Sequence, residues 1–160
     1  MVSRRIMLQS LTAVAVAILF EADAEASTVS EDGLVSVASK YSVKDTLDRL
    51  EADLRAKGVT VFARIDHAAG AASVAMPLRP TEVLIFGNPK GGTPLMQANQ
   101  TIGIDLPLKV LAWQGADGKV WLTYNDVSWL ARRHHLDPST DANVAALTML
   151  LANLTKAAAG

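Results

Sequence analysis

The chain has 160 residues, half of them hydrophobic and 19% charged, with no cysteine and a formal net charge of -1. That is the composition of one globular domain able to bury its own core; it excludes a disordered chain, a disulfide scaffold, a thiol enzyme and a cysteine-bound zinc site. A near-neutral charge gives no footing for binding nucleic acid or a polybasic attachment to membranes.

The chain opens with Arg4 and Arg5, then an apolar run from Ile6 to Phe20 broken by Gln9, Ser10 and Thr12, then Ala22-Asp23-Ala24 and Ala24-Glu25-Ala26. This is the charge, apolar core and small-residue order of a secretory signal peptide. The expected cut follows Ala26 and leaves residues 27–160 as a single domain. The unbroken apolar stretch Leu11 to Phe20 is short for a membrane span, which weighs against an uncleaved anchor. Ser3-Arg4-Arg5-Ile6-Met7-Leu8-Gln9 also resembles the twin-arginine export motif. The two arginines equally supply the positive charge of any leader, so both export routes stay open. Either puts the mature protein in the periplasm or outside the cell, with no membrane contact after cleavage.

Gly33 to Tyr41 alternates as a strand, with Val35 and Val37 on one face. Ser42 with Asp45 is close to a capping box, and Val43, Leu47, Leu50 and Leu54 form the stripe of a helix that Gly58 ends. Its other face pairs Lys44–Asp48, Asp45–Arg49, Glu51–Arg55 and Asp53–Lys57 four residues apart, the pattern of a solvated helix. Val59 to Asp66 alternates again, with Val59, Val61, Ala63 and Ile65 on one side. Residues 67–73 are small and turn-prone. Glu82 to Phe86 is a short apolar strand, and Gly87-Asn88-Pro89-Lys90-Gly91-Gly92 reads as a loop, with Thr93 capping a helix that starts at Pro94. Leu108 to Gln114 and Lys119 to Asn125 make a hairpin around Gly115-Ala116-Asp117-Gly118 that sets Trp113 opposite Trp121. Asp126 caps a short helix through His134. A last helix starts at Thr140 or Asp141 and carries Val144, Leu147, Leu151 and Leu154 on one face. Helices gathered on one face of a mainly antiparallel sheet make this an α+β domain.

Several blocks then stand in order: Ile65-Asp66-His67, Leu78-Arg79-Pro80-Thr81, Phe86-Gly87-Asn88-Pro89, Gly92-Thr93-Pro94-Leu95-Met96, Asp105-Leu106-Pro107-Leu108-Lys109, Gly118-Lys119-Val120-Trp121 and Tyr124-Asn125-Asp126. This run, about residues 43–136, resembles the DUF302 family, a domain of unknown function. The resemblance implies a β-α-β(4)-α fold of the TATA-binding-protein-like class, often dimeric. It carries over no catalytic residues, because the family has no established reaction.

Five residues are candidates for ligand binding. Lys90 and Thr93 flank a glycine-rich turn into a helix, where backbone N–H groups can hold an anion, although the spacing is not that of a Walker A loop. The same glycines suit a plain tight turn. His67 follows Arg64, Ile65 and Asp66 at a strand end, Arg79 lies in the proline-broken stretch after it, and His67 has the side chain best suited to acid–base work. It is equally readable as a loop histidine bonded to backbone. His134 and His135 diverge on a helix and fit a helix C-terminus better than a metal site. Met76 and Met96 invite comparison with heme axial ligands, but without C-x-x-C-H any heme would be held noncovalently. No metal site and no cofactor is identified.

Three readings follow. The first is an exported, noncatalytic module for a small anionic or apolar ligand near Arg64, His67, Arg79 and Lys90. The second is a homodimer or partner-binding module using a sheet edge and the tryptophan surface. The third is an enzyme with His67 as its acid–base group.

Overall fold

A computed structural model describes residues 29–160. The leader, and with it the expected cut after Ala26, lies outside the described residues. The five strands are β1 (Leu34–Ser39), β2 (Thr60–Asp66), β3 (Thr81–Gly87), β4 (Leu108–Gln114) and β5 (Val120–Asn125). They form one sheet in the order β1-β5-β4-β3-β2, with every neighbouring pair antiparallel. The helices are α1 (Val43–Ala56), α2 (His67–Ser73), α3 (Pro89–Ala98), α4 (Val127–Arg133) and α5 (Asp141–Ala159). The expected α+β class and the β-α-β(4)-α order hold, with α2 and α3 inserted between strands.

Because β1 and β2 are opposite edges of the sheet, α1 must cross its whole width. Ser42 caps α1: its hydroxyl accepts from the Asp45 N–H and donates to the Asp45 carboxylate. The apolar stripe Val43, Leu47, Leu50 and Leu54 is buried as the periodicity requires. α5 packs beside α1 and against β1, presenting Val144, Leu151, Leu154 and Ala158. Between them the two helices cover the sheet face formed by Val35, Leu84, Phe86, Leu108, Val110, Ala112, Leu122 and Tyr124. Pro138–Ala159, the one described segment long and apolar enough to cross a membrane, packs on α1, α4 and β1 with about a third of its apolar window buried. The i,i+4 pairs form only in part. Lys44–Asp48 and Glu51–Arg55 are present at 2.6 Å. Arg49 turns instead to the end of α5, donating to the Ala157 and Ala158 carbonyls at 3.1 Å.

Register and alternation put Ile65, Ala63, Val83, Ile85, Leu111, Trp113 and Trp121 on the opposite face, none of them fully buried. Trp113 and Trp121 stack there with ring centroids 6.5 Å apart, as the hairpin register demands. The Trp113 indole N–H donates to Thr123 Oγ1 at 2.8 Å.

Three local expectations change. β2 carries a bulge: Val61 pairs with Phe86 and Ala63 with Ile85, leaving Phe62 as an extra residue. The alternation reverses beyond it. Arg64 joins the helix-covered face and Ile65 leaves it, the opposite of what uninterrupted alternation implies. Residues 67–73 form a helix, not a turn. Asp66 accepts the Ala69 N–H at 2.8 Å, and alanine is the best helix former. Finally, α3 starts at Pro89 rather than at Pro94, and its N-cap is Asn88, not Thr93.

Candidate functional site

Shifting the start of α3 by five residues turns the supposed loop into a helix wall. Pro89, Gly92, Thr93 and Met96 fall at i, i+3, i+4 and i+7, so they share one face. That face looks onto a cavity of about 250 Å³. Its far wall is Leu106, Pro107 and Leu108, where the chain enters β4, with Gly103 from the 3-10 turn Gln100–Ile104. Gly87, Leu147 of α5 and the bulge residue Phe62 complete the lining. Phe62 is 55% exposed, and its ring edge lies 3.6 Å from where a Cβ on Gly87 would stand. The bulge therefore aims this side chain along the cavity rather than into the core.

Three of the lining residues are glycines, and none of them has a positive φ. Backbone conformation does not require glycine at these places. An added Cβ would meet Pro107 Cβ at 3.4 Å from Gly87, Leu106 Cδ1 at 3.5 Å from Gly92, and Met96 Sδ at 3.5 Å from Gly103. These are ordinary contact distances, so alanine would fit by filling cavity space. Glycine inside a helix costs about 1 kcal/mol relative to alanine. What the glycines supply here is room. Gly91 differs: a Cβ would press on Leu147 Cδ2 at 3.2 Å, so it serves the close approach of α3 to α5.

The first turn of α3 has no backbone donor left for an anion. Pro89 has no N–H, Asn88 Oδ1 accepts from Lys90 N at 2.9 Å, and the Asn88 carbonyl accepts from both Gly91 and Gly92. Two polar groups at the cavity remain without a hydrogen-bond partner among the described residues: the Asn88 amide nitrogen and the Thr93 hydroxyl, both on exposed residues.

Of the five candidate residues, Thr93 lines the cavity; Arg64, His67, Arg79 and Lys90 do not. Arg64 is drawn under α1 by the bulge, where it holds Asp48 at 2.6 Å and Glu82 at 2.7 Å. Hydrogen bonds from Lys44 and then Arg64 hold the Asp48 carboxyl below its usual value. His67 opens α2, exposed and without a side-chain hydrogen bond, so an acid–base role there has no partner group among the described residues. Arg79 donates to the Gln114 carbonyl at 2.9 Å. Lys90 is exposed on α3. Among the described residues no three His, Asp or Glu side chains stand together as a metal cluster.

Sequence reasoning missed a polar network behind the cavity. His134, the C-cap of α4, is 8% exposed; its Nε2 meets Asp105 Oδ2 at 2.6 Å and its Nδ1 meets Thr101 Oγ1 at 2.9 Å. Asn99 donates to the His134 carbonyl at 2.8 Å and caps the 3-10 turn through Thr101 N. The network clamps that turn to α4 and so fixes the wall carrying Gly103 and Leu106. The signal available in sequence was slight: a histidine at a helix end and an aspartate 29 positions earlier.

Comparison with known proteins places the chain. It is 48% identical over 134 residues to proteins named fluoride-specific ion channel from Brucella suis, Brucella abortus and Brucella melitensis, covering 84% of this chain. The chain spans about half the length of these curated relatives, 50–53%. Among solved structures, an uncharacterized conserved DUF302 protein from Bacillus stearothermophilus superposes with a TM-score of 0.70 at 20% identity, covering 79% of this chain and 98% of that one. At that identity the likeness shows the fold alone. The model of the domain of unknown function DUF302 matches residues 35–154, three quarters of the sequence, and the chain belongs to the DUF302 family.

Proposed function

We propose that this chain is a noncatalytic binding module that takes a small apolar ligand in the cavity between α3 and the Leu106–Leu108 segment. The observation that supports it is a cavity kept open by three glycines whose backbones do not need to be glycine. Ligand pockets combine mostly apolar walls with a few polar groups, and here the polar groups are Asn88 and Thr93. The anionic ligand entertained from sequence loses support, since the α3 donors are already used. Native mass spectrometry of protein purified from its own cells tests the reading. A bound small molecule on the wild-type chain, absent from a folded Gly92→Leu variant, is the expected result. Identical masses without ligand for both would contradict it.

The leader, read as a signal peptide, supports export, so the module would act outside the cytoplasm. Finding the mature chain retained in the cytoplasm would count against that.

A second reading rests on two observations: the apolar sheet face around Ile65, Val83, Trp113 and Trp121, and relatives named as ion channels of which this chain spans half. In it the open face meets another copy or a separate channel protein. A monomer in solution that fails to co-purify with such a channel would remove it.

A further inference from the structure

We propose that the ligand is an uncharged molecule of about one ring in size carrying a hydrogen-bonding oxygen, and that Thr93 recognises that oxygen. This rests on the cavity being a binding site.

Size comes first. A dry cavity of ~150 Å³ holds benzene, and this one is about 250 Å³. A single ring with a substituent fits within that volume. Charge comes next. No lining residue is ionisable, and the backbone donors of the first α3 turn are already engaged within the helix. An ionised group carried into apolar walls without a partner is strongly disfavoured. Lys90 is exposed and does not line the cavity.

The third observation concerns Thr93 itself. A threonine inside a helix commonly turns its hydroxyl back to the carbonyl four residues earlier. Thr46, Thr148 and Thr155 do so here, donating to Ser42, Val144 and Leu151 at 2.7, 2.9 and 2.8 Å. Thr93 makes no such bond, and it lines the cavity together with Asn88, whose amide nitrogen is likewise without a partner among the described residues. Both residues are exposed, whereas Leu108 on the far wall is 6% exposed.

Phenol, toluene and benzoate separate the alternatives, because they share a ring and differ in the polar group. Titrations followed by amide NMR shifts should show phenol binding tightest and benzoate weakest. Thr93→Val should weaken phenol about five- to tenfold, the scale of one neutral hydrogen bond, and leave toluene within about twofold. Thr93→Ser should restore phenol binding. Equal effects of Thr93→Val on phenol and toluene, or benzoate binding tighter than phenol, would overturn the role given to Thr93 and to neutrality while leaving the cavity a binding site. If none of the three binds the wild type, and Gly92→Leu changes nothing, the proposed function fails with it.

Discussion

One inserted residue decides the fate of two others. Phe62 bulges out of β2, so Arg64 turns under α1 and Ile65 turns out. Arg64 then bridges Asp48 and Glu82, a structural role. The linkage has a definite sign. Asp48 is held below its ordinary value by Lys44 and Arg64, so its folded value lies below its unfolded one. Its contribution is complete above the usual carboxylate range and is lost as pH falls through the folded value. Urea melts taken from neutral into acid should therefore show a smaller acid loss for Asp48→Asn than for the wild type; parallel curves would contradict the assignment. The effect is small, since Asp48 is partly exposed. The His134–Asp105 pair is more enclosed. Asp105→Ala strips the partner from a nearly buried imidazole and should cost roughly 1–3 kcal/mol in urea melts, with a loss under ~0.5 kcal/mol contradicting the clamp.

At the scale of elements, α3 is the most informative. Its neighbouring glycines make opposite predictions. Gly92→Ala removes a helix penalty and meets only Leu106 at 3.5 Å, so it should raise stability by up to about 1 kcal/mol. Gly91→Ala presses on Leu147 at 3.2 Å and should gain less or lose. Thermal melts of the two variants check this, and equal shifts would contradict it. Periodicity made α1, α5 and the β4–β5 hairpin legible, because each has one buried face and strong end signals such as Ser42 and Gly115–Gly118. It failed for α2, which buries no residue and so has no apolar stripe to betray it. It misplaced the start of α3 because Gly91, Gly92 and Pro94 read as loop residues. Asn88 was the cap, and Pro89 sits where proline is welcome, at the first helical position. Thr93 was legible as a candidate. The other lining residues come from separate parts of the chain, and Phe62 and Leu106–Leu108 meet α3 only through the sheet.

Among the described residues the molecule is a sheet with one face closed by α1 and α5 and the other left partly open. The cavity sits where α3, the entry to β4 and α5 converge, at the margin of the core cluster, which supplies Leu108 and has Met96, Leu106 and Leu147 packed against it. Three glycines, from β3, α3 and a 3-10 turn, line it, and the proposed binding requires that space to stay empty in the free protein. Xenon tests this directly, since it enters apolar cavities without needing a polar partner. Crystals pressurised with xenon should hold an atom between Gly92 and Leu106 in the wild-type protein and none there in Gly92→Leu. A wild-type corner that takes up no xenon, or a variant that takes up as much, would contradict a cavity built by glycine.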